Sequence, residues 1–188
     1  MEVIEDIEKV CNNRNEKKII DALTGRFSDM PRVGLYIDFP NVYITARQSN
    51  AYPNMRYIKE IGKCLGNLVV SNCYTIAHPK ENQFEQILSL ERMGYKVIPR
   101  FVPETEYGMK KDIDSLLITD FMRDLFNSNL NIMIIVSNDS DFVPIVREAK
   151  ERGVFCIVMV SDHSEARVLS ESANVYLDIN FKIVDNTD

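Results

Sequence analysis

Four aspartates, Asp38, Asp114, Asp139 and Asp141, stand in this chain where short apolar runs end or amphipathic runs begin. Carboxylates brought together repel one another and lose hydration, and a bound cation relieves both penalties. An all-oxygen donor set with no His or Cys close by suits hard divalent ions such as Mg²⁺ or Mn²⁺, which retain waters and engage phosphate groups. The natural chemistry of such a site is metal-assisted attack of water on a phosphodiester. On this reading Asp38 and Asp139 hold the main metal. Asp114 and Asp141 bind a second ion, orient water or act through the outer shell.

Each acid also has a structural explanation when taken singly. In Ile37-Asp38-Phe39-Pro40-Asn41, Asn41 would cap the next helix and Asp38 would close a turn. In Ser137-Asn138-Asp139-Ser140-Asp141-Phe142, the polar residues are good N-caps and first-turn acids. That explanation accounts for one or two of these residues better than for all of them.

The elements that must position the acids follow from the hydrophobic pattern. Residues 33–37, 68–76, 96–102, 132–136 and 154–160 are Val- and Ile-rich runs that read as strands, several apolar throughout and so covered on both faces. Amphipathic stretches at 55–65, 82–93, 113–126 and 142–151 read as helices, with Gly94 and Gly153 as C-terminal stops. A last helix over 164–172 precedes a short strand over 175–177. This alternation predicts an α/β domain with a mainly parallel sheet, in which ligands bind beyond the carboxyl ends of the strands. Asp38 and the Asp139/Asp141 pair both fall at such ends. Asp114, heading the helix at 113–126 whose stripe is Ile113, Leu116, Leu117, Phe121 and Leu125, arrives at the same rim.

Residues 2–24 carry helix-like apolar spacing broken by a polar run at 12–15, so residues 1–31 read as a helical extension able to cap the sheet or form a homo-oligomer. The main domain spans residues 32–180, and 181–188 form a tail. The 103–111 segment is the longest unpatterned stretch and a candidate functional loop.

Composition narrows the function classes. At 188 residues and 45% hydrophobic content the chain can build one full core. A net charge of -6 argues against holding nucleic acid by bulk positive charge, leaving room for a local basic rim. Cys11, Cys64, Cys73 and Cys156 form no C-x-x-C pair and read as reduced thiols; His78 and His163 receive no role. No stretch approaches the roughly 18 apolar residues of a membrane span and no signal-like start is evident, so a cytoplasmic protein is expected.

Three segments in order carry a resemblance: Tyr36-Ile37-Asp38-x-x-Asn41, Lys111-x-Ile113-Asp114-x-x-Leu117-x-x-Asp120, and Ile135-Val136-Ser137-Asn138-Asp139-Ser140-Asp141-Phe142-x-Pro144, with Gly153 before the next strand. Together they resemble the NYN domain family of the PIN-like nuclease superfamily, most closely its bacterial-type LabA-like members, over roughly residues 32–180. The resemblance implies a Rossmann-like three-layer α/β/α sandwich and an endoribonuclease activity dependent on Mg²⁺ or Mn²⁺. It implies a pocket of Asp38, Asn41, Asp114, Asp139 and Asp141. Ser137, Asn41 and Lys111 are candidates for substrate binding. The family often has Gly where Asn138 stands; Asn tolerates positive φ and could adopt the same conformation. It also often has a Gly-Glu-like pair where Phe39 and Pro40 stand.

Asp120, nearly two turns past Asp114, is expected to play a structural role beside a cation. Arg47, Arg56, Lys59, Arg100 and Tyr107 could flank an RNA path, and Lys110 with Lys111 could contact a phosphate. The competing reading is an adaptor that keeps the fold and binds RNA or protein without catalysis. A receiver-like phosphorylation domain also places acids at strand ends, but the chain lacks a lone Asp after a third strand with a later Lys.

Overall fold

The computed structural model describes residues 23, 26–77, 83–101, 113–161, 166–179 and 181–183. The expected N-terminal helices apart from Leu23, the loop at 103–111 and residues 184–188 of the tail lie outside the described residues. So do Cys11, His78, Tyr107, Lys110, Lys111 and His163.

The Val- and Ile-rich runs form strands β1 (Arg32–Asp38), β3 (Asn67–Ala77), β4 (Lys96–Phe101), β5 (Ile132–Val136), β6 (Phe155–Val160) and β7 (Val175–Asp178) of one sheet. Their spatial order is β4-β3-β1-β5-β6-β7, and every neighbouring pair is parallel. Counted among sheet strands alone, this is the doubly wound order third, second, first, fourth, fifth, sixth, which changes direction between β1 and β5. Helices α1 (Phe39–Gln48), α2 (Met55–Cys64), α3 (Gln83–Arg92), α4 (Asp114–Asn127), α5 (Val143–Glu151) and α6 (Arg167–Ser172) connect the strands.

The three layers follow from the two-residue period of the strands. Leu35 and Ile37 of β1, Ile134 and Val136 of β5 and Ile157 of β6 face one core, closed by Val42 of α1, Ile58 and Ile61 of α2 and Leu90 of α3. The alternate residues Tyr36, Met133, Ile135 and Val158 face the other, closed by Leu117 and Phe121 of α4, Val146 of α5 and Leu169 of α6. Each fully buried Ile, Leu or Val contributes about 1.5–3 kcal/mol from water exclusion. Because both faces are covered, β5 and β6 carry no polar side chain along their length. Gly94 and Gly153 adopt φ of 81° and 80°, the left-handed geometry of the expected C-terminal stops.

Three elements depart from the sequence expectation. Helix α1 is expected only as the helix that Asn41 would cap, with no bounds of its own, because Val42, Ile44 and Thr45 are β-branched and weak helix formers. Its cap and the Pro near its first turn, together with burial of Val42 and Ala46, override that weakness. Strands β2 (Ala51–Pro53) and β8 (Phe181–Ile183) pair antiparallel as a separate ribbon. Three-residue strands are too short to show a period, and their partners are remote in sequence. Among the described residues no helix is long and apolar enough to cross a membrane.

Candidate metal centre

The site is built at the carboxyl ends of β1 and β5, where the strand order reverses. Asp38 is the last residue of β1 and caps α1: its Oδ1 accepts from the Asn41 backbone N–H at 3.3 Å. The capping assignment is therefore the reverse of the expected one, with Asp38 as the cap and Asn41 inside the first turn. The reason is spacing, since an N-cap side chain reaches the N–H three residues on.

Ser137, completely buried directly after β5, donates its hydroxyl to Asp38 Oδ2 at 2.9 Å. The same Oγ accepts from the Asp139 N–H at 3.1 Å. Asp139 in turn caps a 3-10 turn over Ser140–Phe142, its Oδ1 accepting from the Asp141 N–H at 2.9 Å. Buried Phe142 pins that turn to the core. From a third segment, Asp114 opens α4, which is seated by buried Ile113 and Leu117.

The result is a cluster of Asp114, Asp139 and Asp141 in which one carboxylate oxygen from each lies within 4.8 Å of the others. Asp114 and Asp139 are half-buried and Asp141 is exposed, so the cluster opens to solvent. Asp38 stands outside this trio. It is 4% exposed, with one hydrogen bond to each carboxylate oxygen. Burial pushes its carboxyl up to about 6; the hydrogen bonds from Ser137 and Asn41 oppose the rise, and the negative charges of Asp114 and Asp139 add to it.

Asn138, unlike the expectation, does not take positive φ; among the described non-glycine residues only Asn50 and Asn129 do. Its side chain supplies the reason. The Asn138 amide donates to Ser161 Oγ and to Thr45 Oγ1, and its carbonyl oxygen accepts from Ser161 N–H at 2.9 Å. Its own N–H donates to Asn41 Oδ1 at 3.0 Å. Asn138 thus ties the loop after β5 to α1 and to the end of β6, and Asn41 and Ser137 are engaged in the same scaffold. Nothing local in the sequence marks Thr45 or Ser161, which matter through contacts to residues far along the chain.

Other acids of α4 serve packing. Asp120 pairs with Arg123 and accepts from the Tyr74 hydroxyl at 3.0 Å, as its expected structural role requires. Asp124 accepts from the Tyr36 hydroxyl at 2.7 Å and from Ser128 Oγ at 3.0 Å. These bonds bolt α4 to β1 and β3, which fixes where Asp114 emerges. Of the expected flanking cations, Arg47 lies over the Tyr52 ring at 4.7 Å and Lys59 over the Tyr95 ring at 5.0 Å.

The donor set fits a divalent cation. The trio is all-oxygen, converges from two segments, and carries a mutual repulsion that a bound cation removes.

A family profile described as the NYN domain matches residues 32–180. The chain is similar to an uncharacterized protein of Methanocaldococcus jannaschii, 26% identical over 148 residues, which are 79% of this chain and 55% of that relative. It therefore spans only about half of that relative's length. A crystal structure of a protein of unknown function from Vibrio parahaemolyticus shares the fold, with a TM-score of 0.74 and 20% identity. That match covers 84% of this chain and 99% of the other.

Proposed function

This chain belongs to the NYN domain family, and on that premise we propose that it is a metal-dependent endoribonuclease hydrolysing RNA phosphodiester bonds at the Asp114, Asp139 and Asp141 rim. The observation that carries this reading is the convergence of those three carboxylates within 4.8 Å at the point where the strand order reverses.

Asp114, Asp139 and Asp141 would hold Mg²⁺ or Mn²⁺, the ions that carboxylate-only sites suit. Such an ion supplies charge neutralisation at the phosphate and a more acidic bound water. The chain's own residues do the rest. Ser137 joins Asp38 to Asp139 through one hydroxyl, so the floor and the rim of the site move as a unit. The buried Asp38 carboxylate, accepting from the Asn41 N–H and the Ser137 hydroxyl, orients the two loops that form the floor of the site. The exposed Asp141 leaves the rim open to a strand approaching from solvent.

The test compares wild type with Asp139→Asn, a substitution that retains a good cap for the 3-10 turn. Purified protein with Mg²⁺ or Mn²⁺ should cut single-stranded or structured RNA. The variant should fall to background and lose at least about tenfold in Mn²⁺ affinity by calorimetry. RNA left uncut by wild type at the level of Asp139→Asn, with no Mn²⁺ binding, would leave the adaptor reading in its place.

A further inference from the structure

We propose that the groove between α2 and α3, lined by Arg56, Lys59, Glu60, Arg92 and Met93, is a phosphate-binding exosite for the RNA strand that reaches the acidic rim. This inference rests on the nuclease reading above. The groove encloses about 320 Å³ and gathers three cations in a chain whose net charge is -6. Its single acid is already matched, because Glu60 Oε1 lies 2.8 Å from Lys63 Nζ. Arg56 and Arg92 carry no ion pair or hydrogen bond among the described residues and are exposed.

Lys59 is held in place: its ammonium donates to the Met93 carbonyl at 2.7 Å and lies over the Tyr95 ring. The turn after α3 carries Gly94 at φ 81°, and Lys59 Nζ lies against it at the groove's edge.

The lining also indicates which part of a nucleic acid would bind. Arginine forks match the oxygens of a phosphate, and the lining side chains include no amide, hydroxyl or aromatic ring. A contact made with the backbone through charge is independent of base sequence, which the comparison of unrelated RNAs tests. A strand approaching an acidic rim on an acidic protein also gains most from a local positive anchor.

Arg92 and Met93 lead into the amino end of β4, the edge strand of the sheet, so a strand held in the groove would follow that edge, about 20 Å long, to reach the rim at the carboxyl ends.

The test is the salt dependence of single-stranded RNA binding to the full chain in EDTA, where metal-dependent cutting is suppressed. Each phosphate neutralised on a single strand contributes about 0.7 to the slope of log K against log salt. Arg56→Gln/Arg92→Gln should therefore lower the slope by about 1.4, equally for unrelated RNA sequences. Arg167→Gln, which removes the exposed pair with Glu171 on α6, should leave it unchanged. Unchanged thermal midpoints will show that all variants are folded. An unaltered slope in the double variant overturns the exosite, as does wild-type protein that binds no RNA. So does binding of inorganic pyrophosphate that depends on these arginines while RNA affinity does not. Cleavage with Mn²⁺ is scored in parallel against Asp139→Asn. A slope shift without cleavage removes the hydrolysis and keeps the exosite, whereas cleavage without a slope shift removes the exosite alone.

Discussion

Replacing Asp38 by Asn should make the metal-free protein more stable and, on the nuclease reading, less active. The carboxyl at 38 is almost fully buried, and burial lifts it from its ordinary 3.8 to about 6. Because the folded state binds this proton more tightly than the unfolded chain, stability is fully present below about pH 4 and lost as pH rises through about 6. At about 1.4 kcal/mol for each tenfold change in proton affinity, the charged form costs the fold about 3 kcal/mol at neutral pH. An amide removes that cost. Its oxygen can still accept from the Asn41 N–H, and its NH₂ can donate to the Ser137 hydroxyl, which now donates to Asp38. The rearranged hydrogen bonding offsets the gain by about 1 kcal/mol, so a net stabilisation of about 2 kcal/mol remains. Urea denaturation in EDTA at several pH values measures this directly: the variant should be about 1 kcal/mol less stable than wild type well below pH 4, match it between about pH 4 and 5, and be about 2 kcal/mol more stable above about pH 6. A variant that is no more stable than wild type at about pH 8, or whose advantage does not depend on pH, would refute the claim that a buried charge burdens this position.

Three further substitutions probe the scaffold. Asn138→Ala removes the bonds to Ser161 and Thr45 and leaves the Ser161 N–H without its acceptor; urea denaturation should show a loss of about 1–3 kcal/mol, and Mn²⁺ binding should weaken with it. Tyr36→Phe removes the hydroxyl donated to Asp124 and should cost about 1–2 kcal/mol in the same assay. Gly66→Ala places a Cβ against the Pro31 backbone carbonyl at a φ of 154°; a loss of at least about 2 kcal/mol is expected from steric strain, visible as a lowered thermal midpoint.

Much of the fold was legible because strand and helix periods are local. The apolar runs of β1, β5 and β6 announce strands buried on both faces, and Gly94 and Gly153 mark helix ends through a conformation that favours glycine. The extent of helix α1 was hidden by its β-branched residues, and the β2–β8 ribbon by its brevity, because in both cases packing outweighs local preference.

The four acids illustrate the same division. Their identity, their placement at strand ends or a helix start, and the family motif around them are properties of short stretches of chain, so a linear reading recovers them. Which acids meet depends on distances between remote segments. Asp114 joins Asp139 and Asp141 because the bonds from Tyr36 and Tyr74 to Asp124 and Asp120 fix α4 against the sheet. Asp38 lies outside that trio because Ser137, 99 residues away, holds its carboxylate in the core. The same holds for Asn138, whose motif position is local but whose partners Thr45 and Ser161 are brought to it by strand register and helix packing. Those distances come from the cooperative burial of two apolar cores, and no stretch of sequence shorter than the domain encodes them.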